Sequence, residues 1–140
     1  MAVPPGKIIY TPVLNEVGGF ETDITVTRFS EDTFFIVTAA ATVVHYYDYF
    51  KRRIPGDAHA VITDVTHGYA MLAIMGPKSR DLIGKLTDAD LSNAAFPFAS
   101  AREIDLAYAR PLAVRAAGLR RLWPLRPLPG HPGGRRGLAR

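Results

Sequence analysis

The chain has 140 residues, enough for one hydrophobic core, and 48% of them are hydrophobic. It contains no cysteine, which excludes disulfides and thiolate chemistry. The sequence has no apolar run near the ~18 residues of a membrane span, and its first residues lack the basic-then-apolar pattern of a signal peptide. We therefore expect a cytoplasmic location and no membrane contact.

The net charge of +4 conceals two regions of opposite sign. Residues 1–109 hold nine Lys/Arg and all thirteen Asp/Glu, whereas residues 110–140 hold eight Arg and no acidic residue. Because the charge changes sign at one position in the chain, we infer a domain boundary there. We predict an N-terminal extension at residues 1–6, one domain at residues 7–109, and an Arg/Pro/Gly-rich tail, disordered or frameshifted, from residue 110 onward.

In the predicted tail, 28 of 31 residues are Arg, Leu, Pro, Gly or Ala, and no apolar period persists. The four prolines from Pro124 onward would interrupt a helix or a central strand. Three interpretations stay open: a shifted reading frame in a GC-rich gene, a disordered natural tail, and a basic arm for nucleic acid. The tail has one tryptophan and no lysine, so we expect no nucleic-acid partner. Only residues 112–122 suggest structure, as a transient helix.

Three strands are predicted in the first third of the chain. Residues 7–14 are rich in Ile, Tyr and Val, residues 20–29 alternate in polarity with one buried face, and residues 34–38 are strongly apolar. Turn residues occupy positions 15–19 and 30–33. These short connections predict an antiparallel meander.

Helices and strands mix in the rest of the domain. Helices are predicted at residues 43–53, with Thr42 as N-cap and Val44, Tyr47 and Phe50 on the packed face, and at residues 79–86 after Pro77. Strands are predicted from short apolar runs at residues 60–65, 69–75 and 103–107. Because strict βαβ alternation is absent, the predicted fold class is α+β.

Residue chemistry alone gives few site candidates. Asp23 follows the glycine turn Gly18-Gly19, where a carboxylate could face a ligand, but an exposed strand-end residue is the favoured interpretation. The four histidines do not form a metal-binding pattern, and we expect no metal. A flavin-binding Gly-x-Gly-x-x-Gly motif is also absent from the sequence.

Five stretches carry a more specific pattern in their order and spacing: residues 6–16, 18–28, 69–80, 91–98 and 101–105. They include Gly18-Gly19 before Asp23, and Met75-Gly76-Pro77 between a predicted strand and helix. Together these stretches resemble the glycine-cleavage T-protein family. The resemblance is closest to the C-terminal aminomethyltransferase domain of dimethylglycine and sarcosine dehydrogenases.

The resemblance implies a partial aminomethyltransferase folate-binding fold, which passes a one-carbon unit between an amine-bound methylene and tetrahydrofolate. It assigns Asp23 as the catalytic carboxylate beside the accepting folate nitrogen, and Tyr10, Asp23, Thr25 and Thr38 as folate-binding residues. A carboxylate there can hold a proton-bearing amine or stabilise iminium character. Thr38 stands where the T-protein itself often carries an asparagine.

The implied ligands are tetrahydrofolate and a small methylated amine, and FAD would belong to a dehydrogenase domain of a parent fusion protein or to a partner subunit. The family also has a long segment before the position of Tyr10, and a Tyr-Val-Gly-Glu-x-Gly-type segment after that of Tyr108. Because neither is found here, we expect weak or no activity of the chain alone. The alternatives are a non-catalytic accessory module that keeps the fold and, less favoured, a nucleic-acid binder through the tail.

Overall fold

A computed structural model describes residues 2–116 and, for the backbone alone, residues 120–122. This part of the chain forms an α+β fold, which confirms the predicted class. Its elements, in chain order, are β1 Ile8–Leu14, β2 Phe20–Arg28, β3 Phe34–Val37, α1 Val43–Lys51, β4 Leu72–Ile74, α2 Ser79–Gly84, β5 Ser100–Glu103, β6 Leu112–Arg115 and β7 Arg120–Leu122. Single turns of 3-10 helix lie at Ala40–Thr42 and Thr66–Gly68.

The first sheet is the predicted meander, with antiparallel order β1-β2-β3. Its first turn is closed by Asn15, whose Oδ1 accepts a hydrogen bond from the Gly19 backbone N at 2.7 Å. A Cβ on Gly19 would lie 2.7 Å from Asn15 Nδ2, and Gly18 has φ +80°. The backbone angle of Gly18 therefore favours glycine, and a side chain at position 19 would displace the Asn15 amide that closes the turn.

The second sheet has the order β4-β7-β6-β5 and is also antiparallel. It meets the first sheet along β1, because Ile8 N donates to Ala99 O at 2.9 Å and Ala101 N donates to Gly6 O at 2.7 Å. Gly6 has φ +80°, and a Cβ there would lie 3.2 Å from Ala101 O. The chain segment around Gly6 therefore joins the two sheets through backbone hydrogen bonds.

Two clusters of buried side chains form the core. One lies where the sheets meet and contains Ile8, Ala101 and Val114, with Phe35 and Val37 packed against it. The other lies under α2 and contains the following buried residues: Ile83, Phe96, Ile104 and Ala113. Because β6 contributes to both clusters, it connects them.

Strand β2 changes its buried face along its length. Ile24 is 6% exposed and Thr27 is 2% exposed, yet alternation places them on opposite faces. The prediction of one buried face for this strand was therefore wrong. The face of β2 that carries Ile24 is buried near the first turn. The opposite face, which carries Thr27, is buried near the second sheet.

The expectation of few tertiary contacts from residue 110 onward was wrong for the residues up to 116. Ala113 and Val114 are 1% and 4% exposed, and β6 pairs with β5 through Ala101↔Val114. Arg110 lies 3.2 Å from Asp105 and 3.6 Å from Glu103. Composition was a poor guide here because a four-residue strand needs only two buried apolar side chains, in this case one on each face, and an Arg/Pro-rich background hides them.

The transient helix predicted over residues 112–122 was also wrong, because residues 112–115 and 120–122 are strands. Helix propensity was overridden by the backbone partners that β5 and β4 provide. The remainder of the predicted tail, residues 117–119 and 123–140, lies outside the described residues.

Three other elements differ from prediction. Residues 60–65 form no strand, and Val61 is 93% exposed, because neither sheet offers this apolar run a described partner. β5 begins at Ser100, before the predicted start at residue 103, and β4 keeps only three of the seven predicted residues.

Both helices are shorter than predicted. The end of α1 tightens, since Arg52 N and Arg53 N donate to Asp48 O and Phe50 O, respectively, at 3.0 Å. Thr42 is the N-cap but makes no side-chain cap bond, and Val44, predicted to pack, is 79% exposed. None of the helices in the described ranges is long and apolar enough to cross a membrane.

Candidate functional site

Tyr10 and Asp23 meet on an exposed face of the first sheet. In the β1–β2 ladder Tyr10 lies opposite Thr25 and Pro12 lies opposite Asp23, so Tyr10 and Asp23 are diagonal neighbours. The Tyr10 hydroxyl donates to Asp23 Oδ2 at 2.6 Å. The contact is possible because β1 and β2 are adjacent in the sheet.

This hydrogen bond affects the ionisation of the tyrosine. Tyr10 is 70% exposed. The hydrogen bond to Asp23 raises the pKa of its phenol above the ordinary value, and desolvation and the charge of Asp23 add to this effect. The phenol therefore stays a donor across the physiological range. In the described part of the chain, Asp23 Oδ1 accepts no hydrogen bond, and this exposed oxygen is available to a ligand.

The other two predicted site residues are placed differently. Thr25 is half-buried, lies opposite both Tyr10 and Val37, and shares a face with Asp23 by alternation. Thr38 follows the last residue of β3, and its hydroxyl contacts only the carbonyl of Ala39, at 3.5 Å. The fold thus brings Tyr10, Asp23 and Thr25 together, while no described contact brings Thr38 to them.

Helix α1 is tied to the end of the same hairpin by two tyrosines. The Tyr46 hydroxyl donates to Glu21 O at 3.3 Å, and the Tyr49 hydroxyl donates to Leu14 O at 3.0 Å. The helix therefore braces the turn region that precedes Asp23 in the chain. The sequence analysis missed both residues, although a helix with three tyrosines near its middle is a signal that hydroxyl partners are needed.

An open cleft lies between this hairpin and α1. Its volume is about 430 Å³, and it is lined by the following residues: Glu16, Glu21, His45, Tyr49, Arg52 and Arg53. The Arg53 guanidinium lies 3.5 Å from the centre of the Tyr49 ring and 3.9 Å from Glu16. This cleft was not predicted from the sequence.

The described residues include no candidate group of metal ligands. No group of three or more His, Asp or Glu side chains lies together there in a way that could hold an ion. His131 falls outside the described residues.

The sequence of residues 1–117 matches the family described as the GCVT N-terminal domain. The chain belongs to this family. The match extends through β6, in agreement with the place of that strand in the core. It also confirms the resemblance to glycine-cleavage T-proteins.

Individual relatives agree with this assignment. The chain is 33% identical over 111 residues to mitochondrial sarcosine dehydrogenase of Mus musculus, covering 69% of the chain and 12% of that protein. It is 32% identical over 111 residues to an aminomethyltransferase of Listeria monocytogenes, covering 79% and 30%. It is 31% identical over 112 residues to the mitochondrial pyruvate dehydrogenase phosphatase regulatory subunit of Mus musculus, covering 80% and 13%. The chain thus spans less than a third of each relative.

Proposed function

We propose that this chain is part of a tetrahydrofolate-dependent aminomethyl-transfer domain, and that the Tyr10–Asp23 pair is its reacting centre. The observation that carries the proposal is the 2.6 Å hydrogen bond between the two side chains on an exposed sheet face. The family and its aminomethyltransferase and sarcosine dehydrogenase relatives support the reaction class.

The two residues have complementary tasks in this proposal. Asp23 supplies a carboxylate that holds a proton-bearing amine or stabilises positive charge as an iminium forms. Tyr10 donates to Oδ2 and fixes the carboxylate without neutralising it, because the raised pKa of the phenol keeps the proton on the tyrosine. The free Oδ1 is then directed to the ligand.

The surroundings fit a folate ring. The exposed Tyr10 ring offers an apolar face for stacking, and Asp23 and Thr25 offer hydrogen-bonding groups beside it. Bound tetrahydrofolate would supply the nitrogen that accepts the one-carbon unit, and a small methylated amine would supply that unit. We propose that a flavin dehydrogenase domain or partner subunit produces the oxidised amine, and that the chain alone has little activity.

The test is titration of the full chain with tetrahydrofolate, followed by calorimetry or tyrosine fluorescence. Asp23→Asn should weaken binding at least about tenfold, since a charge-assisted hydrogen bond contributes about 1.5–3 kcal/mol. Asp57→Asn, which removes another exposed carboxylate, is the matched control and should leave affinity unchanged. Equal affinities of the Asp23 variant and the unaltered chain would show that the site is wrong.

A second candidate function is a non-catalytic regulatory module. It is favoured by the 31% identity to a protein named as a phosphatase regulatory subunit. A chain with this function would keep the two-sheet fold for packing and would have no need of the exposed carboxylate. If the titration detects no tetrahydrofolate binding although the chain is folded, this second function is the better conclusion.

A further inference from the structure

The pairing of β1 with β2 shifts by one residue just before the candidate site. Val13 lies opposite Thr22, whereas the next residue of β1, Leu14, lies opposite Phe20. Glu21 is therefore an extra residue, which the register of the two described strands pairs with no residue of β1. Such an extra residue in one strand is a β-bulge, a feature that redirects the side chains beyond it.

This bulge places Asp23 on the same face of the sheet as Tyr10. Asp23 lies opposite Pro12, which shares a face with Tyr10 by alternation. If β2 continued from Phe20 as a regular ladder, each later residue would shift by one position. Asp23 would then lie opposite Thr11, whose side chain is on the other face. With this sequence, the hydrogen bond between Tyr10 and Asp23 therefore depends on the bulge.

Two tyrosines of α1 bind the backbone where the register shifts. The Tyr46 hydroxyl donates to the carbonyl oxygen of Glu21 at 3.3 Å, and the Tyr49 hydroxyl donates to that of Leu14 at 3.0 Å. The extra residue of a bulge is left out of the regular ladder, so its backbone groups need other partners. The helix supplies one such partner to each strand.

We propose that Tyr46 is a positioning residue of the candidate site, which stabilises the bulge and thereby keeps Asp23 on the face of Tyr10. The backbone N of Asn15 donates to Gly19 O at 2.8 Å. In a regular ladder continued from that pair, the carbonyl of the bulge residue would accept from β1 and would not need the tyrosine. The value of this role for ligand binding rests on the function proposed above, whereas the control of register does not.

Backbone hydrogen bonds report a change of register directly. Arg28 N donates to Lys7 O at 3.0 Å, and bonded pairs alternate along an antiparallel ladder, so Thr11 and Ile24 form a bonded pair. A shift of β2 to the regular ladder breaks the bonds of this pair. It leaves the pairing of β2 with β3 at Phe35 intact.

The test is exchange of backbone amide hydrogens for deuterium, followed by NMR on the full chain. Tyr46→Phe should speed exchange at Thr11 and Ile24 about threefold to tenfold, the effect of one lost hydrogen bond, and leave the Phe35 amide unchanged. Tyr47→Phe is the matched control, because it removes a hydroxyl of the same helix that donates to Ile62 O. It should change none of these rates.

Deletion of Glu21 separates control of register from simple packing of the helix. The deletion makes β2 regular while Asp23 stays opposite Pro12, so adding Tyr46→Phe should no longer speed exchange. The proposal is overturned if Tyr46→Phe acts as strongly in the chain without Glu21. It is also overturned if the original chain shows equal acceleration at Phe35, or no more acceleration than Tyr47→Phe causes.

Tetrahydrofolate, added to the same exchange experiment, distinguishes this proposal from the proposed function. A ligand that binds only the register presenting Asp23 should slow exchange at Thr11 and Ile24 by about 100-fold at a concentration 100 times its Kd. Binding that leaves these rates unchanged would overturn the link between register and ligand. If the chain binds no tetrahydrofolate, the proposed function fails, and the rates without ligand still decide the role of Tyr46.

Discussion

The two sheets of this molecule differ in how far apart in the chain their partners lie. The first sheet pairs strands that follow one another, β1, β2 and β3, through two short turns. The second sheet places β7 between β4 and β6, so its central strands join segments that are distant in sequence. The first sheet thus carries the exposed candidate site, while the second supplies most of the buried core. We therefore expect substitutions in the two sheets to change the folding stability of the chain by different amounts.

The largest expected effect tests the dependence of the second sheet on its last strands. A chain that ends at residue 109 lacks β6 and β7, and with them Ala113 and Val114 of the two core clusters. It should show no cooperative thermal unfolding by circular dichroism. A chain that ends at residue 122 keeps all described strands and should unfold cooperatively. Equal midpoints for the two chains would contradict the assignment of β6 to the core.

The next effect concerns the joint between the sheets. Ile8 is 7% exposed and packs with Ala101 and Val114. Ile8→Ala should lower the free energy of unfolding by about 2–5 kcal/mol, because it leaves a cavity between the sheets. Ile36→Ala on β3 is the matched control, since Ile36 is 39% exposed, and should cost much less. Chemical denaturation measures the free energy of unfolding of both variants. Similar losses would show that Ile8 contributes no more to stability than the partly exposed Ile36.

A smaller effect is expected in the loop between β5 and β6. Ala107 has φ 51°, in the left-handed region that glycine occupies without strain. Ala107→Gly should stabilise the chain by about 1 kcal/mol, because it removes the contact between Cβ and the backbone. Ala109→Gly, at a nearby residue without positive φ, should instead destabilise it. An unchanged or lower Tm for Ala107→Gly would show that the loop adopts another conformation.

The smallest effect is spectroscopic and concerns the first sheet. Because the hydrogen bond to Asp23 raises the pKa of Tyr10, Asp23→Asn should return that pKa toward its ordinary value in an ultraviolet titration. Any stabilisation from the bond is present below the ordinary tyrosine pKa and is lost as the pH rises through the raised value. Asp57→Asn should leave the titration unchanged. An unaltered Tyr10 titration in the Asp23 variant would mean that the bond does not persist in solution.

The sequence predicted the local part of the fold well, for physical reasons. Alternation in residues 20–28 and the turn residues Asn15 to Gly19 act over a few positions, so β1 to β3 could be predicted from them. β6 could not, because its strand character depends on pairing with β5 and on burial of one side chain on each face. Residues 60–65 show the opposite case. Their apolar pattern predicts a strand locally, but no strand forms because neither described sheet offers them a partner.

In the candidate site, too, contacts between neighbouring strands could be predicted, whereas contacts between distant segments could not. The resemblance pointed to Tyr10 and Asp23, and the ladder register explains why they touch. The partners of Tyr46 and Tyr49 could not be assigned from the sequence, because they lie 25 and 35 residues away in the chain and belong to separate elements. Contacts of this kind follow from tertiary packing alone.

The change of buried face along β2 has an evolutionary consequence. Near the first turn Thr22 and Ile24 are buried, whereas Asp23 and its neighbours on β1, Tyr10 and Pro12, are exposed. Substitutions at these exposed positions remove no buried surface, whereas substitution of Ile24 does. The exposed side chains of this hairpin can therefore change by point mutation while its folding stability is inherited nearly unchanged.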